Sequence, residues 1–352
     1  MRSLSRFTFV WMIFLLMPCL VRAQAGDKQA LEEALRWARE SPRNTVQYNY
    51  EMTARVRLIL FWIGKENVGG GYVRRGQIQG EQNAELVQVL FGSDPAKAPK
   101  AINRWGAGTE VYTTRATSGK DSSTYSAFFG FMKSSKGKSV SEMQGELAKE
   151  SSQSEHLFSA ILSRVESGRA LSLIVPMRSN VDYNLYQLDE AQSYVFDEFL
   201  SSSRPLKEIP SAPQCPRNSG FLGTVAELID AALAGQKTPV SLCYVYDAQV
   251  HTLSLRSVTP LSQLTVRNHP PDATDKTATA VQTYSNLLEA EFLSESKESG
   301  KHSSFTLVLG TTGRLRGIPL QIRYQPNWWF QVVLNLCPES PQPSQAQLAK
   351  GN

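Results

Sequence analysis

Apolar and polar side chains alternate over long stretches of the chain. Val46, Tyr48, Tyr50, Met52, Ala54, Val56, Leu58, Leu60 and Trp62 hold every second position without a break. A period of two places one face of a strand on a core. The other face begins polar with Gln47, Asn49, Glu51, Thr53, Arg55 and Arg57, then turns apolar at Ile59, Phe61 and Ile63. That change predicts a strand whose far end is covered on both sides. Its length predicts strong twist or a bulge. Lys65 to Gly71 reads as a turn, and Tyr72 to Gln79 as the returning partner.

Helical spacing appears first at Asp27 to Glu40, where Ala30, Leu31, Ala34, Leu35 and Ala38 recur and Pro42 closes the run. Shorter helical patterns are read at Asn83 to Phe91 and at Ala96 to Trp105, the second opened by Asp94-Pro95. Gly108 to Arg115 reads as strand, and Tyr125 to Met132 suits strand or helix. Leu157 to Val165 and Ala170 to Val175 flank a glycine-containing turn, which predicts a hairpin, although the first run also fits a helical period. Val140 to Lys149 is a weak helical pattern and Leu185 to Leu200 a stronger one. Ser201 to Ser219 is rich in Ser and Pro and reads as a linker. After it, Phe221, Leu222, Val225, Leu228, Ile229, Ala232 and Leu233 form an apolar helix stripe, with Ser219 and Gly235 as candidate caps.

Val240 to Tyr246 and Val250 to Val258 alternate as a strand pair, followed by a loop from Arg267 to Lys276. A four-strand meander is predicted at Val281–Phe292, Phe305–Leu309, Leu315–Tyr324 and Trp328–Leu336. The expected fold is therefore α+β: a curved, mainly antiparallel sheet flanked by helices, with a C-terminal antiparallel meander. The corresponding organisation is a signal peptide at 1–25, an N-terminal α+β lobe at 26–203 and a Ser/Pro-rich linker at 204–218. A C-terminal α+β lobe at 219–337 and a disordered tail at 338–352 complete it.

The N-terminus sets the compartment. Arg2 and Arg6 precede Phe7 to Val21, fifteen residues without charge, and Ala23-Gln24-Ala25 supplies a small-x-small cleavage site. As a helix that apolar run spans about 22 Å, short of the ~30 Å hydrocarbon core, which disfavours an uncleaved anchor. Lipid attachment at Cys19 fits poorly, because Leu16-Met17-Pro18 lacks the small residues expected before it. Export to the periplasm or beyond is the expectation. Removing the leader lowers 37 Lys and Arg to 34 against 32 Asp and Glu, so the apparent positive charge falls from +5 to +2. That near-neutral balance gives no ground for nucleic-acid binding. No integral membrane span is expected after cleavage. Cys215, Cys243 and Cys337 remain, allowing at most one internal disulfide; a Cys215 bridge and no bridge at all both fit the pattern.

No motif carries a recognisable chemistry. Gly137-Lys138-Ser139 lacks the glycine a phosphate-binding loop needs at position 132, which is Met. Ser135-Lys136-Gly137-Lys138 fits a Ser-x-x-Lys nucleophile box in spacing, but it lies in a polar loop and not at the start of a packed helix. There is no Gly-x-Ser-x-Gly elbow. Of the four histidines, His156, His251 and His302 stand alone, and His269 lies near Asp272 and Asp275. Gly69-Gly70-Gly71 precedes a strand, which points to close backbone approach or a turn in place of a phosphate cradle. Arg55, Arg57, Arg74 and Arg75, with Lys65, fall on one predicted hairpin and form a candidate anion-binding strip. Trp328-Trp329 predicts one indole buried and one exposed to sugar, membrane surface or a second packing layer. No cofactor and no metal site is expected. The leading expectation is an exported non-catalytic binding or envelope-associated protein whose partner is a small molecule or an envelope component. An exported hydrolase with a dispersed site, His269 included, and a structural or assembly subunit are the alternatives.

Overall fold

The computed structural model describes residues 26–36, 38–39, 43–58, 61–78, 83–94, 96–98, 104–114, 122–132, 157–164, 169–176, 188–210, 215, 220–246, 249–269, 279–296, 298, 300–327 and 329–338. The expected leader, the 134–149 stretch, His156, Asp272, Asp275 and the tail beyond Pro338 lie outside them.

Fourteen strands among the described residues form one sheet. They are β1 (Arg43–Leu58), β2 (Phe61–Ile78), β3 (Asn83–Ser93), β4 (Arg104–Thr114), β5 (Ser122–Met132), β6 (Leu157–Arg164) and β7 (Arg169–Pro176). Then come β8 (Lys207–Glu208), β9 (Val240–Tyr246), β10 (Gln249–Asn268), β11 (Ala280–Ser296), β12 (His302–Gly310), β13 (Pro319–Asn327) and β14 (Phe330–Leu336). Every neighbouring pair is antiparallel, in the order β8-β7-β6-β5-β4-β3-β2-β1-β14-β13-β12-β11-β10-β9. The first and last strands are thus neighbours, with Tyr50 opposite Leu336 and Val56 opposite Phe330. Among the described residues three α-helices accompany the sheet: α1 (26–36), α2 (Leu188–Ser201) and α3 (Phe221–Leu233).

The continuous sheet overturns the expectation of an α+β fold flanked by helices. The protein is predominantly antiparallel β, and the predicted meander is part of the same sheet as β1. The predicted helix at Asn83 to Phe91 is strand β3, and Arg104 and Trp105, the end of the second predicted helix, open β4, whose stretch from Gly108 is strand as expected. On β3, one face (Ala84, Leu86, Gln88, Leu90) is buried, and Val87, Val89 and Phe91 on the other are half-buried. Apolar residues on both faces blur the two-residue period and imitate a helix. The predicted turn at 65–71 is instead strand. A Cβ on Gly69 would lie 2.2 Å from the Gly92 carbonyl oxygen, and one on Gly71 would lie 1.9 Å from that of Leu90. The glycines therefore serve close strand approach. The predicted bulge is present: the β1–β2 register slips between Met52 and Ala54.

Twist rolls the sheet into a scroll. The convex face of β3–β7 carries Leu86, Leu90, Val111, Tyr125, Leu171 and Leu173, which pack with Leu31 and Leu35 of α1 and Phe196 and Phe199 of α2. A buried amide relay joins these layers. Gln88 Nε2 donates to Gln192 Oε1 at 3.2 Å, and Gln192 Nε2 donates to Thr109 Oγ1 at 2.7 Å. On the concave face, α3 packs Leu228, Ile229 and Ala232 against Leu253, Leu255, Ala290, Phe292, Leu307 and Leu309 of β10–β12. Its N-terminal end reaches β4 and β5, since Phe128 and Phe221 meet edge-on at 6.4 Å.

The two edges of the sheet overlap without joining. Ala170 shares a face of β7 with Ser172, opposite to Leu171, and so lies on the concave side. It packs against Val245 of β9, which points away from α3, together with Ile209 and Val250. The inner face of one edge thus covers the outer face of the other. Cys215 and Cys243 are disulfide-bonded across this seam, with Cα atoms 5.6 Å apart.

Candidate functional site

Three places gather the side chains that bear on function. The first lies inside the scroll. Glu110 of β4 points inward and is completely buried. Its carboxylate accepts the backbone N–H of Leu222 at 2.9 Å and of Gly223 at 2.9 Å, and it accepts the Tyr112 hydroxyl as well. The N-cap of α3 is Gly220, which has no side chain to cap it. A strand more than a hundred residues upstream supplies the cap, and Ser219, the expected one, lies outside the described residues. Burial pushes the Glu110 carboxyl above the ordinary carboxylate range, against the four hydrogen bonds that favour its charged form. With all its partners protein groups, it anchors α3. Nothing local in the sequence marks Glu110 for this task; a lone acid on an otherwise ordinary strand is its only trace.

The second place is at one end of the scroll, where the β10–β11 hairpin packs across. Val266, Tyr284 and Leu287 share a core with Tyr50, Leu320 and Leu336. Asn268 Nδ2 donates to the Leu336 carbonyl at 2.9 Å. His269 is held by Glu51: its backbone N–H donates to Oε2 at 2.6 Å, and its Nδ1 lies 2.9 Å from Oε1. Asp272 and Asp275, the carboxylates near His269 in sequence, lie outside the described residues, and the carboxylate that meets it is Glu51 of β1. Cys337, free of any disulfide, stands near it on the same strand pair, its N–H bonded to the Asn49 carbonyl. Burial and the Glu51 charge push the Cys337 thiol up to about 11, the reverse of what a nucleophilic cysteine needs. The group is therefore built as a clasp for the hairpin. His251 lies elsewhere, stacked on Tyr244 at 5.2 Å, and His302 is exposed.

The third place is the part of the concave face that α3 does not reach. Met52 of β1, Val73 of β2, Phe91 of β3, and Ile322 and Val332 of β13 and β14 face inward there, yet all are only half-buried. This lining is apolar across five strands and packs against Tyr50, Leu334 and Leu336, which are buried on the same face where the β10–β11 hairpin crosses.

The four candidate arginines do not converge. Arg55 and Arg57 stand opposite Gly64 and Trp62 near the tip of the β1–β2 hairpin; Arg74 and Arg75 stand opposite Gln47 and Val46 at its other end. Eight residues of strand, about 26 Å, separate the two pairs. Arg74 is engaged already: its Nε and Nη2 donate to Gln47 Oε1 at 3.0 and 2.8 Å, and its guanidinium lies 4.5 Å from the Tyr72 ring. Arg75 and Arg55 are exposed. Trp329 is exposed as well, while Trp328 lies outside the described residues.

No family model matches the chain, and no curated protein matches it. Among solved structures the chain is similar to the crystal structure of a beta-barrel-like protein of domain of unknown function DUF1849 from Brucella abortus. That similarity has 12% identity and a TM-score of 0.39, and it covers 83% of this chain and 95% of the other. The architecture described above rests on the strand pairing of this chain itself. Among the described residues, no helix is long and apolar enough to cross a membrane.

Proposed function

We propose that this is an exported, non-catalytic binding protein that holds an apolar or amphipathic small molecule on the concave face of the scroll, beside α3. One observation carries the reading: Met52, Val73, Phe91, Ile322 and Val332 face inward and are left half-buried where the adjoining half of the same face is sealed by a helix. Half-covered apolar side chains grouped in a concavity are the ordinary lining of a ligand site. Export is supported by the leader pattern at 1–25 and is compatible with the seam disulfide.

The test is native mass spectrometry of the mature chain purified from its own cells, with displacement of the fluorescent probe N-phenylnaphthylamine as a second readout. The expected results are an adduct of discrete mass and a probe signal that Phe91→Asp lowers about tenfold or more. A chain that carries no adduct and binds no probe overturns the proposal, as does a folded Phe91→Asp variant that binds like the wild type.

A further inference from the structure

The geometry points to the projecting end of the β1–β2 hairpin and the adjoining β13–β14 turn as an anchor that seats the protein on a lipid surface rich in anionic headgroups.

The β2–β3 ladder ends at Gly69 opposite Ser93, extended by one bond from the Asp94 N–H to the Val68 carbonyl. Phe61 to Glu66 therefore stand clear of β3, a finger about 20 Å long. On the other side, β14 accompanies β1 as far as Val56, with one further bond from the Arg57 N–H to the Trp329 carbonyl. The finger leaves the sheet where the β1–β2 register slips, next to Asn67 in the left-handed region at φ 52°.

Its tip is apolar. Phe61 is 74% exposed, Ile63 57%, Trp62 39%, and Trp329 on the neighbouring turn 45%. Ile63 lies opposite Val56 and Phe61 opposite Leu58, on one face; Trp62 lies opposite Arg57, on the other. Both faces of the finger thus carry large apolar groups. A protein groove or a second copy docking on one face leaves the other wet, whereas a bilayer interface surrounds both. The backbone suits shallow entry, because the hairpin pairs its own N–H and C=O groups.

Charge selects the headgroup. Arg55 and Lys65 sit one and two residues behind Ile63, at the depth of phosphates when the tip enters the acyl boundary, and Arg57 stands level with Trp62. Among the described residues, neither Arg55 nor Lys65 forms an ion pair. Glu66 is the one acid on the finger, and it lies farthest from the tip. Indoles beside cations at an interface are the pattern of a membrane-surface contact. The anchor does not depend on a ligand in the concave face.

The test is co-sedimentation of the full mature chain with vesicles of phosphatidylcholine alone and of phosphatidylcholine with phosphatidylglycerol, at low and high salt. Sedimentation velocity without vesicles accompanies it. Binding is expected on the anionic vesicles and is weakened by salt. Phe61→Ser combined with Ile63→Ser lowers it about tenfold or more. Arg55→Gln combined with Lys65→Gln lowers it about tenfold on anionic vesicles and leaves the neutral ones unchanged. All four positions are exposed, so unchanged thermal melting verifies that the variants fold. Absence of wild-type binding to either vesicle overturns the proposal, and so does an apolar variant that still binds fully. A dimer that Phe61→Ser with Ile63→Ser dissociates, with no vesicle binding, assigns the finger to a second copy and overturns it equally.

Discussion

The concave face has two halves that share one design and differ in cover. Along β10–β12, Leu253, Leu255, Ala290, Phe292, Leu307 and Leu309 are fully buried because α3 lies on them. Along β1–β3, β13 and β14, Met52, Val73, Phe91, Ile322 and Val332 point the same way and stay half-buried. Each half comes from the same alternation of apolar and polar residues. Alternation defines a face; it does not say what covers that face. A single thirteen-residue helix, held at one end by Glu110, makes one half a core and leaves the other, where the proposed ligand would sit, half-covered.

Opening the seam is the most severe way to disturb this contrast. Cys243→Ser is expected to lower stability by about 3.5 kcal/mol, from the loop entropy of a 28-residue separation. Urea unfolding of the oxidised wild type beside the variant measures it; a loss under 1 kcal/mol shows that the apolar overlap at Ala170 and Val245 holds the scroll closed by itself.

Next in size are two truncations that compare the halves directly. Leu253→Ala, in the covered half, is expected to cost about 3 kcal/mol, and Phe91→Ala, in the uncovered half, about 1 kcal/mol. Equal losses in denaturant melts would erase the distinction on which the binding proposal stands.

Glu110→Ala is expected to cost about 2 kcal/mol, since two N–H groups of α3 lose their acceptor inside the protein. Its pH signature has a definite sign. Burial raises the Glu110 carboxyl above its unfolded value, so the native state holds that proton to higher pH than the unfolded chain does. The contribution to stability therefore declines as pH rises from the ordinary glutamate range through the raised one, and Glu110→Gln removes that slope from a pH series of melts.

His251 gives the smallest effect, with the opposite sign. Burial lowers its imidazole, so the unfolded chain binds the proton more readily. Stability is lost as pH falls below the ordinary histidine range, and His251→Phe, which keeps a ring on Tyr244, should flatten the loss between pH 7 and 5.

Much of the local structure was legible. The β6–β7 hairpin, helices α2 and α3, and the alternating start of β1 stand where the periodicity predicts. β3 was read as a helix because both of its faces carry apolar residues. The apolar run around Phe61 was read as a doubly covered strand end. It is instead an exposed hairpin tip, and periodicity cannot tell a buried run from one that meets lipid. Of the site, His269 was singled out for Asp272 and Asp275, which lie outside the described residues, whereas Glu51, 218 positions away, left no signal. Glu110 left no signal, since capping by a distant strand has no local spacing to find.

By itself the amino-acid order determined which residues alternate, the apolar stripes of α1, α2 and α3, and the supply of three later cysteines. Those are properties of neighbours in the chain, governed by side-chain period and backbone preference. Only the tertiary structure decided that fourteen strands form one rolled sheet, that Cys215 meets Cys243, and that α3 fills half of the concavity. Such pairings join segments far apart in sequence, and they depend on accumulated twist and on how far one helix reaches, which no local pattern encodes.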